Sequence, residues 1–143
     1  MIYLAAPLFN SRERAFNERL KRLMPFPTYL PQEDGKLISD LLERGSSVDA
    51  ASREIYQNDI RALHESKVLV AVLDGAHVDS GVAFEVGYFC ALGKPIVGLH
   101  TDMRSELPFG HNPMLMGALD VLVHRDDEIV PALKTILTKL NLG

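Results

Sequence analysis

The densest hydrophobic run in the chain is Val68-Leu69-Val70-Ala71-Val72-Leu73, with no polar residue interrupting it. A run of this kind, rich in β-branched residues and lacking alternation, is expected of a strand covered on both faces in a parallel sheet. Upstream, Met1 to Ala6 reads as a short apolar strand closed by Pro7. Asn10 or Ser11 then caps a helix whose stripe is Phe16, Leu20, Leu23 and Met24. Pro25 and Pro27 end that helix, and Thr28-Tyr29-Leu30 reads as a second strand stopped by Pro31. Residues 32–47 are mostly polar, with Gly35 and Gly45 around Leu37-Ile38 and Leu41-Leu42, and predict a long loop containing one or two helical turns.

Residues 48–66 carry a helical pattern with an apolar face of Val48, Ala51, Ile55, Ala62 and Leu63. Ser80 or Gly81 opens a further helix, which Gly93 closes with Pro95 just beyond. Pro95 to Leu99 and Asp120 to His124 are two more strands. The last helix begins at Asp126-Asp127-Glu128, acidic residues suited to a helix N-terminus, and its stripe is Ile129, Leu133, Ile136, Leu137 and Leu140. Strands alternating with helices predict a three-layer α/β sandwich around a five-stranded parallel sheet with right-handed crossovers. Such sheets bind ligands beyond the carboxyl ends of their strands, so residues 6–10, 74–85 and 100–112 are the segments to search for chemistry.

Composition narrows the possibilities. At 143 residues, 47% hydrophobic and 24% charged, the chain predicts a single domain, 1–143, with one substantial core. A net charge of −4 leaves no Lys/Arg excess for a nucleic-acid polymer. No apolar run reaches the roughly 18–20 residues of a membrane span, and the start MIYLAAP lacks a charged leader region, so no membrane partner and a cytoplasmic location are expected. One cysteine, Cys90, forms no internal disulfide. His64, His77, His100, His111 and His124 are scattered, without HExxH or CxxC, so no metal site is expected. The stretch from Gly87 to Lys94 lacks the Ser or Thr of a phosphate loop and runs from helix to strand. A GxGxxG is absent, and Ala5-Ala6-Pro7 lacks the acidic pair of a receiver domain.

The segment DGAHVDSGVAFEVGY holds the chemistry-bearing candidates. Asp79, Ser80 and Gly81 lead into a helix with Glu85 in its first turns, where the dipole and free N–H groups favour an ionised carboxylate able to act as a nucleophile. Gly81, Ala83, Phe84 and Gly87 are small or apolar and let a ligand approach the backbone. Asp79 or Ser80 equally suits a helix cap, and Glu85 a solvated position. Asp59 falls in the middle of the apolar face of its helix, which predicts burial or a pocket. Carboxylates converging on one crevice are the pattern of glycosyl transfer. Tyr3, between Ile2 and Leu4, is expected to be buried, its phenol bonded to backbone or to a pocket carboxylate. Phe9 follows the first strand as a stacking platform or loop anchor.

The strand IYLAAPLF, the QND of residues 57–59 and DSGVAFEVGYFCALGKP together resemble the nucleoside 2-deoxyribosyltransferase family, from the first strand to about Met116. The resemblance implies a flavodoxin-like fold and transfer of 2-deoxyribose between nucleobases through a covalent intermediate, without a cofactor. It implies Glu85 as the nucleophile at C1′, Tyr3 as the phenol that holds it, and Asp59 as the acid and base toward the nucleobase. Asp79, with Ser80 and Gly81, would bind the sugar, and Phe9 would line the base pocket. Asn112, with Met114 beside it, would reach into a neighbouring subunit's site, which implies a homodimer or larger homo-oligomer. Nucleosides and free nucleobases would then be the substrates, and nucleoside salvage the role. Related members hydrolyse deoxynucleoside 5′-monophosphates and need a phosphate site, for which Ser11, Arg12 and Arg14 are candidates. A non-catalytic nucleoside- or nucleotide-binding sensor on the same fold is the remaining alternative.

Overall fold

The first strand, β1 (Ile2–Ala5), is buried at every position, because it runs through the middle of a sheet rather than along its edge. In the computed structural model, which describes residues 1–141, five strands pair in the order β2-β1-β3-β4-β5. The other four are β2 (Thr28–Tyr29), β3 (Val68–Val72), β4 (Ile96–Leu99) and β5 (Val121–Val123). Every pairing is parallel, and β3 is buried along its full length, as its uninterrupted apolar run predicts. The fold is the expected α/β sandwich with flavodoxin-like strand order.

Alternation along β1 divides the core into two sides. Ile2 and Leu4 pack with Leu20 of α1 (Ser11–Leu23) and with Ile129 and Leu133 of α7 (Ile129–Asn141). Tyr3 and Ala5 face the other way, toward Ala62 and Leu63 of α4 (Val48–Glu65) and Val82, Val86 and Phe89 of α5 (Ser80–Ala91). Asn10 caps α1 by accepting a hydrogen bond from the Glu13 amide. The polar stretch after β2 forms two short helices, α2 (Pro31–Asp34) and α3 (Ile38–Glu43). A further short helix, α6 (Pro113–Met116), was not expected; Pro113 at its first position and the Asn112 cap start it. Before α7, Asp126–Glu128 is a 3-10 turn rather than α-helix, closed by a reciprocal cap between Arg125 and Glu128.

Two positions depart from the expected stripes. Leu23, the last residue of α1, is exposed, because the helix ends there before Pro25. Val48 is 59% exposed at the start of α4, which packs with α3. Leu140 is helical, but its side chain lies outside the described part of the structure. Lys94 docks its ammonium on the carbonyls of Leu63 and Ser66, tying the end of α4 to the turn before β4. Among the described residues no helix is long and apolar enough to cross a membrane.

Candidate active site

The site begins with the register of two neighbouring strands. β1 and β2 pair Ile2 with Thr28 and Tyr3 with Tyr29, so the two tyrosines leave the sheet side by side on the face covered by α4 and α5. Their rings stack with centroids 5.3 Å apart and planes 26° from parallel. Each hydroxyl meets a different carboxylate. Tyr3 Oη donates to Glu85 Oε1 of α5 at 2.6 Å, and Tyr29 Oη donates to Asp59 Oδ1 of α4 at 2.8 Å. Asn58 Nδ2 donates in turn to Tyr29 Oη at 2.6 Å.

The two carboxylates, both half-buried, line one cavity of about 150 Å³ together with Tyr56, Ile60, Leu63, Gly81 and Phe84. No lining residue is basic, so nothing cationic offsets the removal of these acids from water. Burial pushes the Glu85 carboxyl up to about 8; the Tyr3 hydrogen bond opposes that rise, while Asp59 and Asp79 add to it. Burial likewise raises Asp59 above the usual carboxylate range, against the pull of its Tyr29 and Asn58 contacts. Both phenols are raised by burial and by the acids beside them, which keeps them protonated as donors.

This corrects the expectation that the helix dipole holds Glu85 ionised. The amides at the start of α5 are already taken: Asp79 Oδ2 accepts from Gly81 N at 2.9 Å and from Val82 N at 3.1 Å. Glu85 lies beyond that first turn, where burial outweighs the dipole. Asp79 thus caps the helix and also sits close enough to raise Glu85, and Ser80 is the first helical residue.

The remaining candidates are not gathered into the cavity. Phe9 is 73% exposed on the turn before α1. Asn112 caps α6 by accepting from the Met114 amide, and the Met114 side chain is 83% exposed. Arg14 donates to the Leu8 carbonyl, while Arg12 lines a separate cavity of about 240 Å³ with Pro7, Phe16 and Asp74. Phe16 packs on the α1 and α7 side, so that cavity lies across the sheet from Glu85. Ser11 lines neither cavity. Tyr29 and Asn58 were not singled out as site residues, nor was Tyr56. Asn58 stood in the quoted QND, and Tyr56 lies three positions before Asp59, on the same helix face.

A sequence profile described as nucleoside 2-deoxyribosyltransferase matches residues 2–128. The chain belongs to the nucleoside 2-deoxyribosyltransferase family. It is 30% identical over 135 residues to a nucleoside deoxyribosyltransferase of Limosilactobacillus fermentum, covering 88% of this chain and 80% of that protein. It is also 34% identical over 113 residues to a Thermofilum pendens protein named for 2′-deoxynucleoside 5′-phosphate N-hydrolase activity, covering 73% of this chain and 71% of that one. A solved structure of a conserved protein from Enterococcus faecalis V583 superposes with a TM-score of 0.76 at 28% identity, over 94% of this chain and 96% of that one. The relatives it resembles are thus named for transfer and for hydrolysis.

Proposed function

We propose that this family member is a nucleoside 2-deoxyribosyltransferase, acting as one domain in cytoplasmic nucleoside salvage, with Glu85 as nucleophile and Asp59 as acid and base. The observation that carries the reading is the pair of carboxylates on one small cavity, each held by its own tyrosine. In the first half-reaction a Glu85 oxygen forms a bond to C1′ as the C1′–N bond breaks, and the Asp59 proton passes to the departing base. In the second, a nitrogen of the incoming base attacks C1′, its proton returns to Asp59, and Glu85 leaves as carboxylate. The 2-deoxyribosyl centre lacks an electron-withdrawing 2′-hydroxyl, so a carboxylate and one acid suffice for an oxocarbenium-like transition state.

The productive form of the pair holds one proton, on Asp59, with Glu85 ionised. Burial raises both carboxyls, so the pair keeps a proton to higher pH than free carboxylic acids do. Tyr3 favours the productive arrangement by stabilising ionised Glu85.

Neutral nucleosides suit the site better than 5′-monophosphates. Asp59 and Glu85 line the cavity with no basic residue beside them, Asp79 lies close enough to act on Glu85, and a phosphate dianion would be repelled. The relative named for 5′-phosphate N-hydrolase activity supports a second reading, in which water replaces the incoming base. The cavity is also smaller than the roughly 300–1,000 Å³ of ligand pockets. This supports completion of the site by a second copy, with Asn112 and Met114 as the crossing residues. Asp79, Ser80 and Gly81 serve the sugar, and Phe9 the base.

Incubating deoxyinosine, or its 5′-monophosphate, with and without adenine and resolving the products by liquid chromatography tests the assignment. Deoxyadenosine formed from deoxyinosine and adenine, and abolished in Glu85→Ala, is the expected result. Hypoxanthine released only from the monophosphate, whether or not adenine is present, refutes the transferase.

A further inference from the structure

We infer that Tyr29 is a positioning residue for the acid: its hydroxyl, itself held by Asn58, fixes the Asp59 carboxyl toward the departing base and leaves Glu85 to Tyr3. The inference rests on the reading of Asp59 as the acid and extends it to a residue outside the cavity lining.

Three observations converge on it. Tyr29 Oη is saturated on the side of α4, donating to Asp59 Oδ1 at 2.8 Å and receiving from Asn58 Nδ2 at 2.6 Å. A carboxyl with one oxygen fixed in this way has its other oxygen directed by the same contact. The Tyr29 ring is braced by the Tyr3 ring at 5.3 Å, so the hydroxyl is placed by the backbone pairing of β1 and β2 rather than by a free rotor. The segment after β2 closes over it: a Cβ built on Gly35 would stand 3.0 Å from Tyr29 Oη and 2.4 Å from the Pro31 carbonyl oxygen. That position therefore admits glycine alone without displacing its neighbours.

The arrangement assigns each acid its own phenol. Tyr3 stabilises the ionised form of Glu85, the form that attacks. Tyr29 points the Asp59 carboxyl while the Asn58 amide occupies the phenol oxygen. The charged and titratable groups around the pair are Tyr3 from β1, Asp34 from α2, Glu85 from α5, and Asp59 itself beside Asn58 on α4. Asp34 is already engaged by Lys21 and by the Leu30 amide. Removing the Tyr29 hydroxyl therefore acts on Asp59 first. Because that hydrogen bond holds Asp59 down against burial, its loss moves Asp59 further up.

The test is Tyr29→Phe, which keeps the ring on Tyr3 and deletes one hydroxyl, measured beside Asp59→Asn and Asn58→Ala. Two donors are compared: deoxyinosine, whose base leaves with a proton, and 4-nitrophenyl 2-deoxyriboside, whose phenolate leaves without one. General-acid catalysis contributes roughly 10²–10⁴-fold, so Tyr29→Phe should lower kcat/KM for deoxyinosine about 10–100-fold and for the nitrophenyl donor less than about threefold. The deoxyinosine pH–rate profile should move to higher pH, because Asp59 then holds its proton more tightly. Asn58→Ala should show the same pattern with a smaller loss, and it carries the test if Tyr29→Phe does not fold by circular dichroism. A Tyr29→Phe loss equal for both donors, with no movement of the profile, overturns the role of Tyr29 if Asp59→Asn remains donor-selective. Equal losses for both donors in Asp59→Asn remove the acid itself, and the proposal with it.

Discussion

Replacing Tyr3 with phenylalanine removes one oxygen atom, 2.6 Å from Glu85, from a position with no exposure to solvent. The ring, its packing in the sheet and its stack on Tyr29 are kept. The lost contact is a hydrogen bond to a charged acceptor, worth about 1.5–3 kcal/mol. With one pKa unit equal to about 1.4 kcal/mol, Glu85 should rise by about one to two units. Starting from about 8, it should titrate near pH 9–10 in the variant, by the same conversion. In the proposed mechanism the productive form carries its one proton on Asp59, and raising Glu85 draws that proton away. The plateau of kcat/KM should therefore fall about 10–100-fold, a tenfold loss for each unit. The basic limb, which marks loss of the last proton, should move up from near pH 8 in parallel. The assay is initial-rate base exchange from pH 5 to 10 in constant ionic strength. A lower plateau with an unmoved basic limb refutes the reasoning, because Tyr3 would then act without touching the ionisation of Glu85.

Three further outcomes follow from the same geometry. Glu85 binds a proton more tightly folded than unfolded, so its contribution to stability falls as pH rises from about 4.5 to 8; Glu85→Gln should gain stability over wild type across that window, by on the order of 2–4 kcal/mol above pH 8 in urea melts, and an unchanged difference from pH 5 to 8.5 contradicts the burial argument. Asp79→Asn keeps an acceptor for the Gly81 and Val82 amides but removes the charge, so it should hold the melting temperature and lower the basic limb; Asp79→Ala should also lose about 1 kcal/mol of capping, seen as a lower Tm by calorimetry. If sites are shared, mixing inactive Glu85→Ala with inactive Asn112→Ala under subunit exchange should restore activity through hybrid sites, and no recovery despite exchange shown by mass spectrometry rejects the crossing role of Asn112.

Much of the architecture could be read along the chain because its signals are local. Pro25, Pro27 and Pro31 bracket β2, Val68–Val72 carries its burial in composition, and Asp59 betrays the cavity by interrupting an apolar helix face. What could not be read depends on pairing between segments far apart in sequence. Tyr29 is an ordinary aromatic in a two-residue strand until the register places it against Tyr3. The state of Glu85 has one local and one distant cause: Asp79, the cap of the same helix, takes the N-terminal amides, and Asp59 acts on Glu85 from α4. His100, His111 and His124 are scattered in sequence, yet the His100 ring lies 4.6 Å from that of His111 and 6.2 Å from that of His124.

β2 has two residues, and its pairing with β1 spans only those two. Side chains on a strand alternate faces, so one extra residue between Pro27 and Tyr29 would turn the phenol toward α1 and α7 and abandon Asp59. The chain length from the end of α1 to Tyr29 is therefore counted to the residue, although most of it lies in a turn. Turns on a surface ordinarily tolerate changes of length. A library of insertions through this protein should show the opposite here: a narrow stretch around residues 25–29 where adding one residue silences the enzyme and leaves it folded.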